Sequence, residues 1–235
     1  MPRENYQKRL EDLSEDVVGM GDLVLERYDA AIEAAETGDD DLARDVIEGD
    51  HEVNERYLEL EEECTELLAL QQPVAGDLRL VTASFKVITD LERVADLATN
   101  LAGYGGDDGG LHPAVEFRKL GHAAGDMVAD AVAAYEAGDP EACRAVAARD
   151  DDLDERCRRA SEAVVRDLLE ADRARVEAAG ADRNVETEAD ELAAAIDDVS
   201  RALLAIRDIE RVGDHAVNIA ARTLYMVEND DELIY

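Results

Sequence analysis

The sequence predicts an all-α protein built as two tandem three-helix bundles. Three observations carry this. Apolar residues recur at three- and four-residue steps through most of the chain. Strong breaks are few. The cycle of three long helices runs twice, with matching letters. Composition agrees: only four prolines interrupt Ala-, Leu- and Glu-rich text, while 4% aromatics and no Trp argue against an aromatic-rich β-sandwich. With 46% hydrophobic residues in 235, the chain can bury a core and is not disordered.

The first helix is expected over 4–36, where Leu10, Leu13, Val17, Met20, Val24 and Tyr28 mark one face. Gly38-Asp39-Asp40 breaks it and supplies a cap for the next. A second helix over about 40–70 ends before Gln71-Gln72-Pro73, because proline disfavours helix in its predecessor. A third spans about 76–102. Gly103-Tyr104-Gly105-Gly106-Asp107-Asp108-Gly109-Gly110, with five glycines in eight residues, is the one clear linker. The cycle then repeats: a fourth helix over about 113–137, a break at Gly138-Asp139-Pro140, a fifth over about 140–178, a break near Gly180 and a sixth over about 184–228. The expected division is 1–104 for the first bundle, 105–112 for the linker and 113–235 for the second.

The repeat is legible in the letters. At an offset of 100, Gly38-Asp39 meets Gly138-Asp139, Arg44 meets Arg144, Asp50 meets Asp150 and Glu55-Arg56 meets Glu155-Arg156. At an offset of 118, Asp90-Leu91-Glu92-Arg93-Val94-Ala95-Asp96 falls on Asp208-Ile209-Glu210-Arg211-Val212-Gly213-Asp214, and Asn100 on Asn218. The second hairpin is therefore longer by 18 residues, the difference of the offsets.

Charge narrows the function classes. Against 59 Asp and Glu stand 24 Lys and Arg, a net charge of −35. Such a polyanion repels nucleic-acid phosphates and anionic lipid, so neither is an expected partner. Only Lys8, Lys86 and Lys119 are lysines, and the acids are spread along the whole chain. This is the surface expected in the salty cytoplasm of a halophile, an archaeal one on this composition; an ordinary acidic surface is the alternative. Cys64, Cys143 and Cys157 form no spaced pair, which fits reduced, buried thiols in a cytoplasm. No apolar stretch suits a secretory signal or a membrane span, so a cytoplasmic location is expected.

Carboxylates four apart share one face of a helix. Glu92…Asp96 and Glu210…Asp214 have that spacing on the repeated helices, and Asp50…Asn54 and Asp150…Asp154 have it on their partners. In an antiparallel hairpin, residues equidistant from the turn lie level. The midpoint of 50 and 96, and of 54 and 92, is 73, which is Pro73. The midpoint of 150 and 214, and of 154 and 210, is 182, inside the second break. Each hairpin is thus expected to bring four oxygen-bearing side chains together. Crowded carboxylates call for a cation, and an oxygen-only set suits Mg²⁺, Mn²⁺, Ca²⁺ or iron. The competing reading is a solvated acidic face. His215 lies about 100° round the helix from Asp214 and is left out of the set. Arg93 and Arg211 are read as ion-pairing with neighbouring acids, with an anion contact as the alternative. A single Glu48-x-x-His51 is weak, since a di-iron bundle needs two such motifs on facing helices. The text shows no phosphate loop, nucleophile–base pair or HExxH motif.

Three strings, Gln-Gln-Pro-Val-Ala-Gly-Asp-Leu-Arg (71–79), Asp-Leu-Glu-Arg-Val-Ala-Asp (90–96) and Ile-Glu-Arg-Val-Gly-Asp-His-Ala-Val-Asn-Ile-Ala (209–220), resemble the PhoU family across essentially the whole chain. The resemblance implies two three-helix bundles related by a pseudo-twofold axis. It implies metal on Glu/Asp-x-x-x-Asp motifs, here Asp50, Asn54, Glu92, Asp96, Asp150, Asp154, Glu210 and Asp214, with iron, manganese, magnesium or zinc as candidates. Asn54 stands where an acid is expected, and the 77–79 string has no counterpart in the second half. The resemblance also implies a regulator, not an enzyme, that restrains phosphate uptake and the phosphate-starvation response. Its partners would be the ATPase subunit of an ABC phosphate transporter and a sensor histidine kinase, with a homodimer expected. The alternatives from other classes are a carboxylate-bridged metalloenzyme of the helical-bundle type and a metal-free helical adaptor.

Overall fold

The computed structural model describes residues 3–70, 74–105, 111–112, 115–178 and 185–234. Seven helices run in order: α1 (Arg3–Thr37), α2 (Asp40–Leu70), α3 (Ala75–Gly103), α4 (Phe117–Ala137), α5 (Pro140–Ala147), α6 (Asp150–Ala178) and α7 (Val185–Glu228). No strand occurs among the described residues. The breaks expected at Gln71-Gln72-Pro73 and near Gly180, and residues 106–110 of the expected linker, lie outside them.

Helices α1, α2 and α3 pack on one another as one three-helix bundle; α4, α6 and α7 form the other, with the short α5 against α7. The bundles join through α3 against α7 and α1 against α4. These four make a central ring, with α2 outside one half and α6 outside the other. One apolar core runs through both, from Leu13, Met20 and Leu91 to Ile206, Ile219 and Leu224. The α1–α4 crossing depends on Gly121, where a Cβ would lie 2.5 Å from Ile32 Cδ1. Beside it the buried Tyr28 hydroxyl donates to Gly121 O at 2.9 Å. No helix among the described residues is long and apolar enough to cross a membrane.

Two boundaries differ from the sequence expectation. The single fifth helix over 140–178 is two, interrupted at Ala148-Arg149. Asp139 caps α5, accepting from the Glu141 and Ala142 amides with Pro140 in its first turn. Asp150, Asp151 and Asp152 then open α6, where aspartate suits the positive end of the helix and not a helix interior. The fourth helix begins at Phe117 rather than 113, with Glu116 ahead of its first turn.

Candidate metal centre and the families it points to

Asp50 and Asn54 stand on α2 and Glu92 and Asp96 on α3, with the Asp50 charge acting on both α3 carboxyls. All but Asp96 are half-buried. Asn54 Nδ2 donates to Asp50 Oδ2 at 2.7 Å, so the two side chains four apart are joined on one helix face. Glu92 and Asp96 both titrate above the usual carboxylate range. Burial is the main cause for each. For Glu92 the charge of Asp96 adds to it, and for Asp96 that of Asp50.

The second set stands on α6 and α7. Asp150 is half-buried, while Asp154, Glu210 and Asp214 are exposed. Burial, then the charges of Asp154, Asp214, Asp151 and Glu210, push the Asp150 carboxyl up to about 6. Glu210 and Asp214 are raised by burial and by Asp154. Asp150 Oδ1 is fully buried with no hydrogen-bond partner. A carboxylate oxygen left so is costly unless a cation or proton meets it. Gly213 lets α6 come this close: a Cβ there would lie 2.5 Å from Leu153 Cδ2 and 3.8 Å from Asp150 Oδ1.

The hairpin arithmetic therefore pairs residues on packed helices, where Asp50 acts on the Glu92 and Asp96 carboxyls and Asp154 on those of Glu210 and Asp214. It does not close them into a shell. Among the described residues no three of His, Cys, Asp and Glu are gathered tightly enough to hold one ion as they stand. The donor chemistry still fits a hard cation, because all eight positions offer oxygen and Asp150 Oδ1 awaits a partner. His51 is exposed, and its Nδ1 lies 2.6 Å from the carbonyl of Glu48 on its own helix, which leaves the single Glu-x-x-His without a facing mate. Ion pairing holds for Arg211, whose Nη1 is 3.3 Å from Asp208 Oδ1. It fails for Arg93, which pairs with no acid among the described residues although its charge acts on Glu92 and Asp96.

Sequence reasoning missed a polar seam between the bundles. His215 is buried, and its Nδ1 lies 2.8 Å from Asp90 Oδ1. Asn218 Nδ2 donates to the same oxygen at 3.4 Å. On the far side of the seam, the Tyr104 hydroxyl donates to the buried Asp208 at 2.9 Å. Burial and this bond push the Tyr104 hydroxyl up to about 12. One signal was available: Asp90 and Asp208 are repeat equivalents on the side of the helix away from the carboxylate rows.

Comparison with known proteins now identifies the family. The PhoU domain matches twice, over residues 17–104 and 117–223. The chain belongs to the PhoU family. A PhoU homologue of Pseudomonas putida, described as a phosphate-specific transport system accessory protein, is 31% identical over 97% of this chain and 82% of its own length. The accessory protein PhoU of Escherichia coli K12 is 31% identical over 96% of this chain and 86% of its own. The crystal structure of PhoU from Pseudomonas aeruginosa superposes with a TM-score of 0.78 at 31% identity, over 96% of this chain and all of that one. A Streptococcus pneumoniae PhoU regulatory protein reaches the same TM-score, 0.78, at 23% identity, a likeness of fold. In this PhoU chain the two matched segments correspond to the two bundles, and each carries one carboxylate row pair.

Proposed function

We propose that this chain is a non-enzymatic accessory regulator of phosphate-specific transport, working in the cytoplasm to restrain phosphate uptake and the starvation response. The observation that carries the reading is the doubled PhoU match over 17–104 and 117–223. The names of its relatives as transport accessory proteins give it direction. The regulator docks onto the ATPase subunit of the transporter and onto a sensor kinase, and it pairs with a second copy of itself.

Two metal sites belong to the same reading, one on Asp50, Asn54, Glu92 and Asp96 and one on Asp150, Asp154, Glu210 and Asp214. The unpartnered Asp150 Oδ1 and the raised carboxyls support it. A bound cation would neutralise each crowded row and tie α2 to α3, or α6 to α7. The carboxylates would hold and orient it; no bond of the protein is made or broken.

The test is deletion of the gene in its own host, with phosphate uptake followed in phosphate-rich medium. Uptake should run unrestrained and return to normal on complementation, and capture of the tagged protein should bring the transporter ATPase with it. Normal uptake in the deletion strain, with no transporter subunit captured, overturns the reading.

A further inference from the structure

We propose that the seam between α3 and α7 carries an oxyanion seat, formed by Arg93 and Arg211 on either side of the pseudo-twofold axis and taking inorganic phosphate. The choice of phosphate rests on the regulator reading above; the pairing of the arginines does not.

The seam's register places them. Arg79 Nε donates to Met226 O at 3.3 Å, and Asp90 meets His215, so the helices run antiparallel and keep step. Arg93 then lies level with Val212, and Val94 with Arg211. The two arginines are repeat equivalents, so the axis that exchanges the bundles passes between them.

Rotation about each helix places them across the surface. At about 100° per residue, Glu92 and Asp96 face α2, Arg93 comes next, and Asp90 faces α7. On α7, Glu210 and Asp214 face α6, Arg211 comes next, and Asp208 faces α3. Across the face the order is carboxylate row, arginine, seam, arginine, carboxylate row. Both arginines are exposed. Packed helices sit about 8–10 Å apart, a gap that two arginine side chains can bridge to one ion.

In a chain of −35 a cation finds an acid easily, and Arg9, Arg27, Arg56, Arg144 and Arg158 all do. Among the described residues, Arg93 pairs with no acid, as is also true of Lys86, Arg207 and Arg222 near the seam and of Arg3, Arg79, Arg156 and Arg166 elsewhere, whereas Arg211 pairs with Asp208 on its own helix at 3.3 Å, a contact that a bound anion would share. Arg207 stands one turn before Arg211 and Lys86 two turns before Arg93. Each guanidinium offers a planar fork to two oxygens, and two forks facing across an axis match the four oxygens of a tetrahedral anion. The outer carboxylate rows oppose an anion, so a cation held by them should tighten the seat.

Equilibrium dialysis with labelled inorganic phosphate, in high potassium chloride, tests this on the purified full chain before and after chelation. Wild type should retain phosphate. R93Q and R211Q should each weaken retention about tenfold or more, and the double variant should abolish it. The R93K/R211K variant, which keeps charge but loses the forks, should fall between. R166Q, which removes an exposed cation of α6, should change nothing. Circular dichroism confirms that each variant keeps its helix content. No retention by wild type in either state overturns the proposal. So does equal retention by the double glutamine variant. Retention that chelation removes but the arginine variants leave intact assigns phosphate to the metal instead, and also overturns it. Sulfate competing as well as phosphate would leave the seat standing as a general oxyanion site and overturn only the choice of phosphate. The uptake phenotype of the deletion strain is read separately, so either proposal can fail alone.

Discussion

His215 of the second bundle lies 2.8 Å from Asp90 of the first, 125 positions apart in sequence and shielded from solvent by the α3–α7 seam. This contact fixes how the bundles sit on each other, since an apolar seam alone would tolerate sliding. Asn218 on the same oxygen and Tyr104 on Asp208 extend it.

Asp90→Ala should therefore destabilise the chain by about 1–3 kcal/mol, because it leaves a buried imidazole without its partner. His215→Ala should cost a similar amount, and the double variant less than their sum. Denaturant unfolding of the four proteins measures the coupling. Strict additivity would show that the pair does not interact.

Gly213 governs a second close approach. Gly213→Ala puts a methyl group against Leu153, with 2.5 Å where contact needs well over 3 Å. The expected loss is about 1–3 kcal/mol. Adding Leu153→Ala should relieve the clash while opening a cavity of its own, so the double variant should fall short of the two losses combined. The third helix has Ala95 at the equivalent position, so the same change has no counterpart there.

What the sequence disclosed follows from what periodicity can carry. Helix spacing and the Gly38, Pro73 and Gly138 breaks mark elements of local origin, and the structure has α1, α2 and α3 within a residue of the expected bounds. Repetition revealed the two bundles and which carboxylates share a face. The break at Ala148-Arg149 was hidden because neither residue is a helix breaker; the signal was the Asp150-Asp151-Asp152 run that follows. The seam was hidden for another reason. Asp90 meets His215 through tertiary packing, and nothing in a single helix's period names its partner on another. Arg93 was misjudged as ion-paired because spacing gives neighbours on one helix, not the direction in which a long side chain leaves it.

Acidity should reveal the crowding at Asp150. Its carboxyl is raised from 3.8 to about 6 by burial and neighbouring acids. A raised carboxyl favours the protonated folded form. Its contribution to stability is thus full below the unfolded value and lost as pH rises through the folded one. In metal-free protein Asp150→Asn should be more stable than wild type above about pH 6, and the gap should narrow steadily toward about pH 4. Thermal unfolding across that range, in chelator, checks it. A gap that stays constant or widens on acidification contradicts the shift.

Salt should hold the chain together. With a net charge of −35, loss of screening raises repulsion between acids across the whole surface. Helicity and melting temperature should fall as potassium chloride is diluted from molar levels to about 10 mM, where the screening length reaches about 30 Å. The outer halves of α6 and α7 should loosen first, since Val165, Leu169, Leu192 and Ile196 are exposed there and little core holds them. Circular dichroism and hydrogen exchange along the dilution series follow both. Unchanged helicity throughout would show that the acids are not mutually destabilising.

Metal should act unequally on the two carboxylate sets. The α6–α7 set has four acids, whereas Asn54 leaves the α2–α3 set with three. More negative charge attracts a cation more strongly, and Asn54 already occupies Asp50 Oδ2. Added Mn²⁺, Mg²⁺, Fe²⁺ or Zn²⁺ should raise the melting temperature, and chelation should lower it. The replacement of Glu210 and Asp214 together by Ala should remove most of that rise, while the same change at Glu92 and Asp96 should remove less. Asn54→Asp should bring the weaker set up toward the stronger, and Asp154→Asn should bring the stronger down. Calorimetric titration of the four variants against one metal gives the order directly. If neither double replacement alters the metal response, the carboxylates are solvated surface, and what stabilises the hairpins is their packing through Leu91, Val94, Ile209 and Val212 alone.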